Sequence, residues 1–324
     1  MVDRDRIVVA GLTHQGMVRK DNQDSYGFIE PESESLLESH GRLFIVADGL
    51  GGHRGGKVAS KMAVDIIGKL YFSSGKKAVY PALLHALELA NKSIYEASGQ
   101  HEELRGMATT CTALVLKWPL LYMAHVGDSR AYLVRNGAIK KLSMDHTLVE
   151  EMVHSGIINQ DEAKSHPDSH ILTRSLGILQ AVEVDVMDPA LQLLGGDSLL
   201  LCSDGLTVYL EDEEILQAVL QNSPDRACEV LVETANERGG RDNVTVEIVH
   251  IRETAEPEPE MDMEDTAPQI SHADRILGEV PTPESEEETA PLEVNAKAEI
   301  EWAALLYLVY IAFMAVYFYF FFKY

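Results

Sequence analysis

Apolar residues along the first 252 positions recur with two different spacings. Where they stand three and four residues apart, the spacing is typical of one face of an amphipathic helix. The predicted helices cover about 56–72, 81–98, 146–156 and 212–237. Short apolar runs with few residues between them predict strands instead, within 109–142, at 198–203 and at 243–251. Asn136-Gly137, between two of these runs, predicts a tight hairpin turn.

The connections between these elements indicate the fold class. Strands that follow one another as closely as those in 109–142 are expected to pair antiparallel, because a parallel pair needs a crossover of a dozen or more residues. Consecutive strands combined with separate pairs of helices are typical of an α+β fold in which helices cover the sheets. We therefore predict one folded domain over residues 1–252.

The pattern changes twice after residue 252. Residues 253–301 contain 16 acidic and 2 basic residues, half of the 12 prolines and almost no periodic apolar positions, which predicts an acidic disordered linker. Residues 302–322 follow as 21 residues without a charge. As a helix they would be about 31 Å long, enough to span a bilayer. We therefore predict a C-terminal transmembrane helix.

The charge and cysteine content indicate which partners and which cellular compartment to expect. The chain carries 52 acidic and 27 basic residues, a formal net charge of −25, so nucleic acid is not an expected partner. The 3 cysteines include no C-x-x-C pair, which favours a reducing compartment. The N-terminus contains no apolar stretch typical of a secretory signal. We expect a single-pass membrane protein whose folded domain, residues 1–252, lies in the cytoplasm.

Five aspartates stand at the ends of predicted strands. Asp48 follows "LFIVA" and Asp204 follows "LLLCS", and both precede Gly-Leu; Asp24, Asp128 and Asp242 also lie beside short apolar runs. Any one of them alone is an ordinary turn residue. If the sheets pack face to face, these ends can converge, and clustered carboxylates repel one another unless cations neutralise them. Hard oxygen ligands favour Mg²⁺ or Mn²⁺, and two such ions can activate a water and clamp a phosphate.

The glycine-rich segment after Asp48 also admits a nucleotide-binding interpretation. Gly51, Gly56 and Lys57 match the start of a phosphate-binding P-loop, but Val58 stands where that motif requires Ser or Thr. A P-loop protein also needs parallel βαβ units, which the closely spaced strands of 109–142 do not allow. We therefore disfavour this alternative.

Five segments in order, "RKDNQD", "VADGLGGH", "GDSRAYLVRNG", "CSDGLT" and "RDNVTV", resemble those of the bacterial PP2C-type (PPM) metal-dependent protein serine/threonine phosphatases. The resemblance covers about 5–252. It implies a central antiparallel β-sandwich flanked by helix layers, with two metal ions at one end. It also implies roles for individual residues: Asp48, Asp204 and Asp242 as carboxylate ligands, the Gly49 carbonyl as a further ligand, and Arg19 as the group that holds the substrate phosphate.

The same resemblance implies supporting roles and shows two departures. Asp24 would order metal-bound water, Asp128 would help to bind a third, weaker metal, and Asn243 would support Asp242. Leu50 stands where animal members place a histidine, and Gln23 replaces a frequent Glu next to the metal ligands. Residues 148–173 match the mobile flap of the family by place, so substrate choice is expected there.

The function that the resemblance implies is hydrolysis of phosphoserine and phosphothreonine in proteins by a metal-activated water, with two or three Mn²⁺ or Mg²⁺ ions. The expected partners are phosphoproteins, namely the substrates of a cognate Ser/Thr kinase or the kinase itself. An alternative is a catalytically weak, membrane-tethered module that binds phosphoproteins on the same fold. A loss of metal ligands would favour that alternative.

Overall fold

A computed structural model of the chain describes residues 4–51, 55–76, 78–164 and 166–252, and the backbone of 269–272. Its strands, in chain order, are β1 (Ile7–His14), β2 (Ser25–Ile29), β3 (Arg42–Ala47), β4 (Gly49–Leu50), β5 (Ala108–Thr109), β6 (Cys111–Lys117), β7 (Leu120–Val126), β8 (Arg130–Arg135), β9 (Ala138–Lys141), β10 (Asp185–Asp188), β11 (Leu191–Gln192), β12 (Ser198–Cys202), β13 (Val244–Ile251) and β14 (Gln269–His272). Its α-helices are α1 (Glu34–His40), α2 (Gly55–Ser73), α3 (Val79–Gln100), α4 (Leu148–His154), α5 (Gln160–Lys164), α6 (Asp204–Thr207), α7 (Asp212–Gln221) and α8 (Pro224–Glu237).

The described strands form two large antiparallel sheets and one small one. The first sheet has the order β1-β13-β12-β8-β9, and the second has the order β14-β10-β7-β6-β3-β2, with β11 paired to β7. β4 and β5 form a separate two-stranded ladder. The predicted hairpin joins β8 to β9, where Asn136 (φ 51°) and Gly137 (φ 75°) both adopt the left-handed conformation that this turn requires.

Three apolar clusters arrange these elements in four layers. One cluster joins α2 and α3 to the outer face of the second sheet, and another joins α6, α7 and α8 to the outer face of the first. The third lies between the sheets and includes Phe44, Leu114, Leu133 and Leu201. The predicted α-β-β-α sandwich is therefore confirmed.

The helix predicted over 212–237 is two helices in the structure. α7 ends at Gln221 and α8 begins at Pro224. Proline disfavours helical conformation in the residue before it and is well placed at the first position of a new helix. The chain therefore breaks at Asn222 and Ser223 while the apolar spacing continues on both sides.

The segment after residue 252 is largely outside the described residues. Within the predicted linker, Gln269–His272 pair antiparallel with β10 as a strand; the rest of 253–301 lies outside the described residues, and its disorder stays a prediction. The edge of β10 offers unpaired backbone groups to such a segment. No helix among the described residues is long and apolar enough to cross a membrane, and the predicted anchor at 302–322 lies outside them.

One carboxyl lies inside the fold without a partner. Glu247, on β13, is 1% exposed, and neither of its side-chain oxygens has a hydrogen-bond partner. Burial raises the pKa of Glu247 well above its ordinary value. An unfolded chain releases this proton at about pH 4.3, so the folded state binds more protons than the unfolded state above that pH. Stability must then fall as pH rises towards the folded-state pKa.

Glu247→Gln removes this titration and should reveal it. The free energy of unfolding of the variant, relative to the unchanged chain, is expected to increase with pH above about 4.3, by at most about 1.4 kcal/mol per pH unit. Urea unfolding of both proteins between about pH 5 and pH 8 measures this difference. A difference that is the same at every pH would contradict the prediction.

Candidate metal centre

The fold brings all five strand-end aspartates to one place. Burial raises the pKa of Asp48 well above its ordinary value, and the charges of Asp24, Asp204 and Asp128 raise it further. Burial and the charge of Asp242 raise the pKa of Asp204. Carboxylates that disturb one another in this way are close together, and the charges of Arg19 and Arg130 oppose the increase in the pKa of Asp204 only in part. Asp48, Asp128, Asp204 and Asp242 remain partly accessible to water, as the floor of an open acidic cleft would be.

The peptide after β3 is held in place by two threonines. The backbone N–H of Asp48 donates to Thr110 Oγ1 at 2.8 Å. The Asp48 carbonyl accepts from Thr109 Oγ1 at 2.8 Å and from the Thr110 N–H at 2.9 Å. These bonds fix the backbone on both sides of the Asp48 side chain, so its direction into the cleft follows from the sheet.

Gly49 lies where there is no room for a side chain. A Cβ atom at Gly49 would come within 2.2 Å of the Gly56 carbonyl oxygen and 2.5 Å of the Gln23 carbonyl oxygen. Both contacts are with backbone, so a rotamer change cannot relieve them. The glycine lets α2 and the Gln23 loop approach the end of β3 closely.

Gly49→Ala is therefore expected to lower the free energy of unfolding by about 1–3 kcal/mol, in the range of overpacked sites, and to weaken Mn²⁺ binding. Thermal unfolding with and without Mn²⁺ measures both effects. Gly99→Ala is the matched control, because a Cβ there meets nothing within 4 Å. Equal behaviour of the two variants would contradict the prediction.

Asp24 is the most buried of the five aspartates, with 8% of its surface exposed. Its Oδ2 accepts hydrogen bonds from Ser203 Oγ and Thr245 Oγ1, both at 2.7 Å. Its Oδ1 has no partner. Burial raises the pKa of Asp24 to about 6, while the two hydroxyl donors oppose the increase. Asp24 is thus fixed at one oxygen and available at the other.

Arg19 and Asp242 form an ion pair at the mouth of the cleft. Arg19 Nη2 lies 2.5 Å from Asp242 Oδ2, and 54% of the arginine side chain is exposed. The backbone N–H of Asn243 donates to Asp242 Oδ1 at 2.8 Å. The buried Asn243 amide also accepts from the Gln23 N–H at 2.8 Å and donates to the carbonyls of Gln15 and Asp21. Asn243 therefore joins the loop that carries Arg19 to the start of β13.

The donor set fits hard divalent cations, although no preformed coordination group is present. Among the described residues, no three His, Cys, Asp or Glu side chains are arranged to hold a metal ion as they stand. However, Asp204 Oδ1 and Asp24 Oδ1 are buried oxygens without a partner, and the charges of Asp24, Asp128 and Asp204 all raise the pKa of Asp48. Carboxylate and carbonyl oxygens are the ligands that Mg²⁺ and Mn²⁺ prefer. Ligation by Asp242 would compete with its bond to Arg19.

A cavity of about 350 Å³ adjoins the aspartates. Its lining includes Asp128 and Asp204, together with Glu150, Lys164 and His170 from the segment 148–173. His146 connects this segment to the Asp128 turn. Its Nδ1 accepts from the Gly127 N–H at 3.1 Å, and its carbonyl accepts from the Thr173 N–H at 2.9 Å.

Four residues of the site were not predicted from the sequence: Thr109, Thr110, Ser203 and Thr245. Ser203 is the only one with a visible signal, since it immediately precedes the second Asp-Gly. In the sequence the threonines are ordinary strand residues. Their hydrogen bonds to Asp48 and Asp24 depend on which strands lie side by side in the fold.

Comparison with known proteins agrees with this geometry. Residues 17–241 match the model of a family described as protein phosphatase 2C. The serine/threonine phosphatase stp of Listeria monocytogenes is 36% identical over 244 residues, which cover 73% of this chain and 93% of the relative. The protein phosphatase PhpP of Streptococcus pneumoniae is 37% identical over 248 residues, which cover 75% and 96%.

Solved structures give the same result. The serine/threonine phosphatase of S. agalactiae superimposes with a TM-score of 0.69 at 36% identity, covering 76% of this chain and all of the other. The catalytic domain of PstP in complex with 2 manganese ions gives a TM-score of 0.64 at 30% identity and covers 76% of this chain and 99% of the other. The chain belongs to the protein phosphatase 2C family.

Proposed function

We infer that this chain hydrolyses phosphoserine and phosphothreonine in proteins, in a metal-dependent reaction. The observation that carries this inference is the convergence of five aspartates from five ordered motifs, with Arg19 beside them. The relatives that share these motifs over most of their length are named serine/threonine phosphatases.

We propose that Asp48, Asp204, Asp242 and the Gly49 carbonyl hold two Mn²⁺ or Mg²⁺ ions, and that Asp128 contributes to a third. When bound, such ions lower the pKa of a coordinated water and neutralise charge on a phosphate. Ion binding would also relieve the mutual repulsion that raises the pKa values of the free carboxyls. Asp24 and Gln23 would lie next to the metal ligands and help to position them. The exposed guanidinium of Arg19 offers a planar pair of donors that can grip a phosphoryl group in bidentate fashion.

No cysteine is a suitable nucleophile in this protein. Cys111, Cys202 and Cys228 are all buried, and burial raises the pKa of each thiol to about 12. A thiol with such a pKa is not ionised at neutral pH and is unreactive. This agrees with direct attack of water on phosphorus.

The segment 148–173 is proposed to select the substrate, because several of its residues line the cavity beside the aspartates. The test is phosphate release from peptides that carry phosphothreonine, phosphoserine or phosphotyrosine, with the full chain and excess Mn²⁺. We expect the first two peptides to be cleaved at least about tenfold faster than the third. Tight peptide binding without phosphate release would favour the alternative of a phosphoprotein-binding module.

We propose that residues 302–322 anchor the enzyme in a membrane, with the phosphatase domain in the cytoplasm. The support is the length and apolarity of that segment in the sequence. The natural substrates would then be phosphoproteins near that membrane, modified by a Ser/Thr kinase, or the kinase itself. The full chain should stay with membranes after a high-salt wash, and a chain ending at residue 301 should not. Retention of both would contradict the anchor.

A further inference from the structure

A second cleft lies between the terminal strands β1 and β2 of the two sheets. It has a volume of about 450 Å³ and shares no lining residue with the aspartate cluster. Its walls are mainly apolar and aromatic, with two carboxyl side chains among them: the residues that matter here are Ile7, Val9, Tyr26, Phe28, Glu30 and Glu247. Volumes of about 300–1,000 Å³ with few polar groups are usual for small-molecule sites.

The two carboxyl groups of this cleft differ in their partners. Glu30 forms an ion pair with the buried Arg42. Glu247 is 1% exposed, and neither of its oxygens accepts a hydrogen bond. Burial alone accounts for its raised pKa, since no basic side chain compensates its charge. A buried carboxyl without a hydrogen-bond donor destabilises a fold. Glu247 is therefore the group in this cleft that a ligand with a donor would stabilise.

The glycine opposite Glu247 lets an aromatic ring pack beside the carboxyl. Glu247 pairs across the first sheet with Gly11 of β1. A Cβ at Gly11 would come within 2.4 Å of the Tyr26 ring, so the glycine makes room for that ring beside the carboxyl. The Tyr26 hydroxyl donates to the Gly11 carbonyl at 3.2 Å and is thereby engaged with backbone. Phe28, 42% exposed, stands at the rim and stacks on Phe44.

We propose that this cleft binds a small organic cation, namely a primary ammonium group on an apolar body. On binding, Glu247 would release its proton to the solvent, the ammonium group would donate to the resulting carboxylate, and the body would lie against Ile7, Tyr26 and Phe28. An ammonium supplies both the hydrogen-bond donors and the charge that Glu247 lacks. The rings of Tyr26 and Phe28 line the same cleft and would add a cation–π attraction. A neutral or anionic ligand of the same shape would leave the carboxyl uncompensated.

The probe is 2-phenylethylamine, with 2-phenylethanol as a neutral ligand of the same shape, titrated calorimetrically into the full chain at neutral pH in an amine-free buffer. We expect 1:1 binding of the amine at least about tenfold tighter than of the alcohol. Glu247→Gln should remove this preference, and Glu88→Gln, on an exposed position of α3, should keep it. Phe28→Ala should weaken amine binding while Glu247 remains.

Three results would overturn the proposal: no binding of the amine to the unchanged chain, equal affinity for amine and alcohol, or an unchanged preference in Glu247→Gln. Circular dichroism of Glu247→Gln shows whether the variant is folded, and Phe28→Ala provides an independent test if it is not. Phosphate release is not part of the readout, so the result is separate from the phosphatase assignment.

Discussion

Asp204→Asn is expected to lower kcat/KM for a phosphothreonine peptide by at least about 10³-fold, equivalent to about 4 kcal/mol of transition-state stabilisation. Asparagine keeps the size of the side chain but removes the negative charge. Burial and the charge of Asp242 raise the pKa of Asp204. The charge of Asp204 in turn raises the pKa values of Asp48 and Asp128. Loss of this central carboxylate should therefore weaken cation binding across the whole cluster.

Steady-state phosphate release at saturating Mn²⁺ measures this loss. Asp225→Asn, at an exposed position of α8, is the matched control and should stay close to the unchanged chain. Calorimetric Mn²⁺ titration of the folded Asp204→Asn variant should show weaker binding. If Asp204→Asn retained activity within a few-fold of the unchanged chain, the aspartate cluster would not be the catalytic centre.

The largest loss of stability is expected from Asp197→Ala. Asp197 and Arg135 are each 1% exposed at the side chain. Arg135 donates through Nε at 2.8 Å and through Nη2 at 2.6 Å to the two carboxylate oxygens, and the Leu194 N–H also donates to Asp197. Removing the carboxylate leaves a buried guanidinium without a counterion, which typically costs about 3–5 kcal/mol.

Urea unfolding of Asp197→Ala checks this value. Asp65→Ala breaks the exposed pair between Lys61 and Asp65 and serves as the control, with an expected loss below about 1 kcal/mol. The double variant Arg135→Met/Asp197→Leu should recover much of the stability, because apolar groups can replace a buried ion pair. Similar losses for Asp197→Ala and Asp65→Ala would show that burial does not govern the cost.

The elements that the sequence predicted are those with a strong periodic signal of their own. The strands within 109–142 and the helices α2 and α3 have long apolar patterns and clear turn residues between them. β1 and β10 were not predicted as strands, and β2 was indicated only by the short apolar run after Asp24. β1 and β2 are terminal strands with mostly half-buried side chains, so their alternation is weak, and β10 is only four residues long. Their places depend on the sheets they join.

The site residues, like the elements, were predicted only where the sequence itself carries a signal. Asp48, Asp128 and Asp204 follow strands, and Asp24 and Asp242 precede strands. All five stand beside short apolar runs in a recognisable order, so the sequence alone indicates that they can meet. The hydroxyl groups that hold them do not share this signal, because Thr245 and Ser203 reach Asp24 across more than 170 positions. Glu247 shows the same limit. Alternation in "VTVEIVHI" suggests a strand with one polar face, yet both faces of β13 are covered, and only the packing of two sheets shows that the carboxyl is buried.

A phosphatase whose metal ions are held by the aspartate cluster, as proposed, requires those ions for activity. The most direct measurement is phosphate release from a phosphothreonine peptide by the full chain, first freed of metal with EDTA and then supplied with Mn²⁺ or Mg²⁺. We expect no release above background without metal and restored release with either ion. Release that is equally fast in EDTA, or none from a folded chain saturated with Mn²⁺, would contradict the proposal.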